Sequence, residues 1–531
     1  MTENAGAGQS HRPRPPTIAL ALAAAVVALE LATLTSAYSY DGVAFAGYVA
    51  RALGLGHYDS LYQSAHLLYG PLCYVWAVAT GGASGWPLHL RLQVLNALLD
   101  GSAVAALYLV LQRVTSAGAA LGSAIAVALS YSFWHYGSDL EVYILAAFTL
   151  ALSLPPALRL VAEPGPRRGL VAGAWAGLAA LGHLAHVVFG IATVVALLSR
   201  RREGRWRAAA SFVAAAAAVT LTAFTAVLLG PLRSVRGAAL RDFLYSYARP
   251  GEAGHHLHAD LGSLGADAAA ALRALLGVGP TPLALRLALV AGLATVVAAA
   301  VLHRESDEPR RVALRLAVAW QVAHLVFFSF WEPGNSEFWV AALVPGSLVL
   351  ALGLDRLGAR LGSVAFALPA VLLAITNYPL IAAERSPARN QPLSIVRALG
   401  DATPSDALIV VSGLEPWREL KIYVPYFAAR RILILDLMLG PPGAGDPLGP
   451  LTARLAAESG PVYALSESVD RGDTRRRLEH AHGLAAGSLD TLLERGRAEP
   501  VGTLAAGMVL YRITSMNALT EKTAWPGPAG P

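Results

Sequence analysis

The 531-residue chain is 55% apolar and 14% charged, with a mean hydropathy of +0.50. Its apolar residues come in runs of roughly 20, which excludes an ordinary soluble globule and predicts a polytopic helical membrane protein. The net charge of +6 rests on many Arg and only two Lys, and these basic residues sit between apolar runs, so no nucleic-acid partner is predicted. The single cysteine, Cys73, excludes an intrachain disulfide, a CxxC pair and a thiolate metal site, and reads as a small buried hydrophobe.

The first apolar run, residues 17–37, follows His11, Arg12 and Arg14. It is too long for a signal-peptide core and reads as a retained span. Residues 38–86 then hold an amphipathic helix over Gly42–Leu53 and the short apolar stretch HLLYGPLCYVWAVAT, read as interfacial or re-entrant. Further spans are expected at 87–112, 116–134, 141–160, 169–183, 186–199, 208–231, 281–303, 311–331, 337–358 and 361–381, about eleven in all. Arg113, the Arg159–Arg168 stretch, RRREGRWR from Arg200, Arg304–Arg315, and Arg356 with Arg360 fall in alternate connections. The positive-inside rule makes that set cytoplasmic, with the N-terminus inside and the C-terminus outside. This parity requires the chain to reverse near Gly182-His183; one long tilted helix over 169–199 would invert everything downstream.

The outer loop 232–280 departs from the charge rule, with Arg233, Arg236, Arg241, Arg249 and Arg273 beside His255, His256 and His258. It reads either as an anion-handling loop or as a long solvated one that translocates despite its charge; the histidines lack an acidic or cysteine partner at ligand spacing. From residue 382 the pattern changes to strand-like runs (DALIVVSG, RILILDL, PVYALSE, GMVLYRI) alternating with helical stretches (EPWRELKIYVPYFA, PLTARLAAES, SLDTLLERG). The expected organisation is a membrane domain over 1–381, an extracytoplasmic α/β domain over 382–519 and a disordered tail from 520.

On the outer face this topology gathers Asp41, Asp59, His66, His89, Arg91, Asp139 and Glu141. A carboxylate can deprotonate an acceptor hydroxyl and a guanidinium fork can steady a phosphate leaving group, which together suit transfer from a phosphate-activated donor. Asp41 reads equally as the N-cap of a helix starting at Gly42. Trp134, Tyr136, Tyr143 and Trp331 are expected in interfacial aromatic belts. Glu30, Asp100 and His324 lie within spans and should face the bundle interior, Asp100 bonded to a group such as Asn96. WEPGNSEFW, with Glu332 and Glu337, either closes over the outer cavity or simply joins two helices.

YSFWHYGSDLEVYILAAFTLAL is similar to the FW...EVY...L segment of the DUF2723 / protein O-mannosyltransferase-like membrane family. The order of parts also matches: YDG after the first span, HLLYGPL, the Arg of LHLRLQVLNALL, and GLAALGHLAHVVF. The resemblance covers about residues 17–200. It implies an all-α GT-C-like membrane bundle and an inverting glycosyltransferase. A polyprenyl-phosphate-linked sugar would be the donor and a glycan, lipid or protein the acceptor, in a bacterial inner membrane. It maps the catalytic or acceptor-positioning acid onto Asp41, the loop-holding or phosphate-binding Arg onto Arg91, and the Glu of EVY onto Glu141, with a cavity role for His183 and His186. Arg233 and Arg236 are further candidates for the donor phosphate; Asp59, His66 and Asp139 for the surrounding site. Some relatives use a divalent cation, for which Asp41 and Asp139 are candidate ligands. HLLYGPL lacks the family's paired prolines, and Gly42 replaces an acid beside Asp41. The alternatives are a lipid or solute transporter with a Glu30–Asp100–His324 relay, and a non-catalytic glycan-binding relative.

Overall fold

A computed structural model describes residues 15–81, 85–244, 262–277, 282–302, 307–332, 334–440, 446–469, 472–489 and 497–514. The chain divides into two compact units, the first of residues 1–35 and 48–385, the second of 36–47 and 386–531.

Each of the eleven apolar segments is helical in the first unit. They are α1 (Pro15–Ala32), α4 (Leu88–Leu111), α5 (Ala117–Ala128) with α6 (Tyr131–Gly137), α7 (Val142–Ala162), α8 (Pro166–Gly182), α9 (Val187–Leu198), α10 (Arg205–Leu229), α13 (Leu283–Val301), α14 (Glu308–Phe330), α15 (Trp339–Leu361) and α16 (Val364–Glu384). Between them lie α2 (Tyr40–Leu55), α3 (Tyr69–Gly81), α11 (Gly237–Leu244) and α12 (Gly262–Leu276). Among the described residues seven helices are long and apolar enough to cross a membrane, or eight if the α5–α6 pair, bent by 63°, is one span. The bend has a local cause. The chain leaves the helix at Leu129-Ser130, and Asn377 Nδ2 donates to the freed Leu129 carbonyl at 2.9 Å and to that of Leu275 at 3.0 Å.

The reversal near His183 is visible in the packing of α8. Gly169, Gly173 and Gly177 form one stripe four residues apart. A Cβ at these positions would lie 2.4, 2.1 and 2.8 Å from the carbonyls of Ala208, Phe212 and Ala216. Both sets of numbers ascend together, so α8 and α10 run parallel with their backbones nearly touching. Small residues at this spacing permit such an approach between membrane helices. Because α8 and α10 share a direction, α9 between them must return the chain. Its 12 residues rise only about 18 Å, well short of a bilayer core, so this pass is shorter than an ordinary span.

The arginine-bearing connections meet at one end of this unit. Arg200 donates to the Val161 carbonyl at 2.9 Å and pairs with Glu308, Arg202 reaches Glu308 at 2.7 Å, and Arg310 reaches Asp355 at 2.8 Å. The charge pattern that suggested one shared membrane face thus corresponds to a set of spatial neighbours.

The second unit is built on a five-stranded sheet of order β2-β1-β3-β5-β4, with β1 (Leu408–Val411), β2 (Arg431–Ile434), β3 (Val462–Leu465), β4 (Ala498–Thr503) and β5 (Val509–Ile513). The first three are parallel, and β5 and β4 add antiparallel. Four of these strands coincide with the strand-like runs. The sequence AEPVGT of β4 has no apolar alternation; it is exposed at the sheet edge, where Pro is tolerated. EPWRELKIYVPYFA becomes a short α-turn running into a π-turn, Val424–Ala428, and the helical reading of SLDTLLERG falls largely outside the described residues. So do His255, His256, His258 and the tail.

Candidate active site

Within the first unit, three elements bring four buried histidines to one place. His66 comes from the loop before α3, His183 and His186 from the turn between α8 and α9, and His324 from the interior of α14. His66 meets His183 edge-on at 4.6 Å, Tyr143 stacks on His183 at 5.3 Å, and Phe338 closes on both Tyr143 and His183. The turn is fixed by its own hydrogen bonds. His183 Nδ1 accepts from the Ala185 N–H at 3.1 Å, which places the ring proton on Nε2, and His186 Nδ1 donates to the Ala179 carbonyl at 3.2 Å. Backbone bonds from Leu184 to Ala65 and from Leu68 to Leu181 lock the His66 loop to this turn. A cavity of 10 Å³ remains between Tyr143, His183, His186, Trp320, His324 and Phe338. That is room for about one water, not for a sugar.

Burial pushes the His66 pKa down to about 4, and the Gly182 backbone only partly offsets it. An ordinary histidine titrates near 6.5, so in the folded protein the ring stays neutral where the unfolded chain would take a proton. The stabilisation is therefore intact above pH 6.5 and lost as the pH falls toward 4. Thermal unfolding in detergent at pH 7.5 and pH 5 is expected to show lower stability at pH 5. His66→Gln should flatten that difference by an amount on the order of 1–3 kcal/mol, and an unaltered pH slope would refute the assignment.

Beside this cluster the α6–α7 corner is held by a polar stripe on α4. Asn96 Nδ2 donates to the carbonyls of Asp139 at 2.9 Å and Glu141 at 2.7 Å, while its Oδ1 accepts from Tyr69 Oη at 3.2 Å. Gln93 Nε2 donates to the carbonyls of Thr35 and Ser138, each at 2.9 Å. Asp139 and Glu141 are buried, with carboxylate oxygens accepting from the Leu140 and Val142 N–H at 2.7 Å each, and Glu141 caps α7. Glu337 accepts from Tyr143 Oη at 3.2 Å, so the Glu337-Phe338 part of WEPGNSEFW does close over the cavity. Glu332 turns elsewhere, to Asn335. Gln93 and Asn96 could have been found as amides three residues apart in an otherwise apolar span, with Asp100 one turn on.

Several expectations are corrected here. Trp134, Tyr136 and Tyr143 are buried inside the bundle and are not belt anchors; Trp134 Nε1 donates to Thr33 Oγ1 at 2.9 Å. Asp100 is not bonded to Asn96, whose amide is fully used. It lies beside Glu30 across α1 and α4, where Gly101 and Gly137 leave room for the approach. His324 lines the histidine cavity and not the Glu30–Asp100 pair, so the three do not form the relay considered for a transporter. Asp59 is exposed on a short 3₁₀ turn, and Arg233 and Arg236 are exposed after α10. Arg91 Nη1 donates to the Ala77 carbonyl at 2.8 Å and its own carbonyl accepts from Trp76 Nε1 at 2.7 Å, tying α3 to α4. Among the described residues no three His, Cys, Asp or Glu side chains are placed to hold a metal ion.

Asp41 belongs to the second unit. Helix α2 begins at Tyr40, so Asp41 stands in its first turn and is not the N-cap; Ser39 Oγ accepts from the Gly42 N–H at 3.3 Å instead. The segment before it is fixed to the sheet domain by side chains. Asn390 Nδ2 donates to the Ser36 carbonyl at 2.7 Å, Tyr423 Oη to the Tyr38 carbonyl at 2.7 Å, and Phe427 stacks on Tyr38 at 5.5 Å. Arg418 and Lys421 both lie over the Tyr40 ring, at 5.4 and 5.0 Å. Burial, then the neighbouring Arg418, lowers the Lys421 pKa. The residue before Asp41 thus carries two cations on its ring within the same unit.

The chain matches the structure of ArnT from Cupriavidus metallidurans bound to undecaprenyl phosphate with a TM-score of 0.62, 14% identity, and coverage of 96% of this chain and 99% of the other. The fold is that of the GT-C glycosyltransferases. A second GT-C match is the oligosaccharyltransferase AglB from Archaeoglobus fulgidus in complex with an inhibitory peptide and a dolichol-phosphate. Here the TM-score is 0.51 at 14% identity, over 94% of this chain and 74% of that one. Residues 75–229 match the family model of dolichyl-phosphate-mannose-protein mannosyltransferase. That stretch contains Arg91, Asp139, Glu141, His183 and His186; Asp41, Asp59, His66, Arg233 and Arg236 lie outside it. A search of the curated proteins found no match.

Proposed function

We propose that this protein is a membrane glycosyltransferase that moves a sugar from a polyprenyl-phosphate donor to an acceptor hydroxyl on the extracytoplasmic face, with inversion. The observation that carries the reading is the likeness of nearly the whole chain to a GT-C structure bound to undecaprenyl phosphate, reinforced by the mannosyltransferase family model over 75–229. In this reading Asp41 takes the proton of the acceptor hydroxyl as its oxygen attacks the anomeric carbon. The bond from that carbon to the phosphate breaks with its electron pair leaving on the lipid phosphate. The exposed guanidiniums of Arg233 and Arg236 are assigned to that phosphate.

Arg91 is assigned as a positioning residue, because one face of its guanidinium already holds the α3–α4 corner. Arg91→Lys loses the planar fork and should reduce turnover at least tenfold. If Arg91 also touches donor phosphate, the donor KM rises as well; an unchanged KM with lowered thermal stability confines it to the corner, and wild-type kinetics would remove it from the site. The function itself is tested by mass spectrometry of surface glycans and glycoproteins from a deletion strain, followed by reconstitution with the donor so identified. An unchanged glycan profile together with no transfer by purified protein would refute glycosyl transfer.

A further inference from the structure

The arginine-rich end of the first unit contains a cavity that the proposed glycosyl transfer does not use. It has a volume of 410 Å³ and opens between the ends of α4 and α7 and the start of α14. One wall is apolar, formed by Val110, Val114, Pro155, Leu158 and Val312, and the rim carries Arg113, Arg159 and Arg202. The three guanidiniums are not equivalent. Arg202 is neutralised by Glu308 at 2.7 Å, and the acid on the rim, Glu163, is taken by Arg168. The guanidiniums of Arg113 and Arg159 make no hydrogen bond or ion pair with any described residue.

An apolar wall leading to two unsatisfied guanidiniums is a site for an amphiphile with an anionic head. Free phosphate would leave the wall unused, and a neutral lipid would leave the guanidiniums unmatched. The position at the ends of membrane helices puts the rim at the level of lipid headgroups, and the positive-inside rule assigns that level to the leaflet rich in anionic lipid. We infer that this cavity binds the headgroup phosphate of an anionic phospholipid through Arg113 and Arg159, with an acyl chain against Val110, Leu158 and Val312. The bidentate fork suits a phosphodiester, and the charge pairs already present at Glu308 and Glu163 keep the rest of the rim from competing. The inference is independent of the proposed glycosyl transfer.

The test is native mass spectrometry of the full-length protein released from nanodiscs of phosphatidylcholine with and without phosphatidylglycerol of the same acyl chains. The wild type is expected to retain phosphatidylglycerol over phosphatidylcholine. The Arg113→Gln/Arg159→Gln variant should lose that preference by roughly tenfold. Arg360→Gln, which removes an exposed charge at the same end but off the cavity, should keep it. Because Arg113 and Arg159 are exposed and unpartnered, the double variant should melt like the wild type in pure phosphatidylcholine. No preference in the wild type, retention by the double variant, or equal loss in Arg360→Gln would overturn the site. Displacement of the lipid by inorganic phosphate at matched concentration would overturn the lipid and leave a free-anion site.

Discussion

Asp41→Asn is expected to abolish glycosyl transfer while leaving the protein folded. The substitution is nearly isosteric, and Ser39, not Asp41, supplies the side-chain cap of α2, so the first turn keeps its hydrogen bond. What is lost in the fold is the favourable position of a negative charge at a helix N-terminus, about 0.3–1 kcal/mol. What is lost in the reaction is the base, and removal of a general base costs typically 10²–10⁴-fold in rate. The two quantities separate the catalytic role from a purely structural one: transfer assayed with the donor identified from the deletion strain should fall by at least two orders of magnitude, while the melting temperature in the same detergent shifts only slightly. Wild-type transfer by Asp41→Asn would end the proposed mechanism. Loss of transfer accompanied by unfolding would assign Asp41 to the anchoring of the Ser36–Tyr38 segment, which the Asn390, Tyr423 and Phe427 contacts already hold.

Gly173→Val is expected to have the largest effect on stability. A Cβ at this position would lie 2.1 Å from the Phe212 carbonyl oxygen and 2.9 Å from its Cα, both backbone atoms that no rotamer change can move. The two helices must separate, and with them goes the α8–α9 turn that carries His183 and His186. Overpacking of this kind costs about 1–3 kcal/mol and more where backbones are in contact. Gly177→Ala should be milder, at 2.8 Å from the Ala216 oxygen. Gly190→Ala should be neutral or slightly stabilising, since its Cβ would make an ordinary contact with Phe212 at 3.8 Å and the site is helical. Thermal unfolding of the three variants in one detergent checks the order, and a wild-type melting temperature for Gly173→Val would refute the close α8–α10 approach. The same comparison bears on the site, because a displaced α8–α9 turn should also weaken the pH dependence assigned to His66.

The membrane class, the eleven helical segments, their alternating arginine-rich connections and four of the five strands are all legible in the sequence. They depend on local hydropathy, charge position and apolar alternation, and each of these is written in neighbouring residues. The β4 strand is not legible, because an exposed edge strand has no buried face to impose a pattern on AEPVGT. Resemblance could point to Asp41, Arg91 and the EVY glutamate, and the sequence alone could place an acid just beyond the first span. Only the tertiary structure decides what these residues touch. It gathers His66, His183, His186 and His324 from three distant regions. It commits the Asn96 amide to the α6–α7 corner, moves Trp134 and Tyr143 from an imagined lipid interface into the bundle, and groups Asp41 with the sheet domain more than 340 residues away. Such pairings are set by which helix faces and loops close on one another, a long-range consequence of glycine-permitted backbone approach and polar satisfaction in an apolar medium. No local run of residues encodes it.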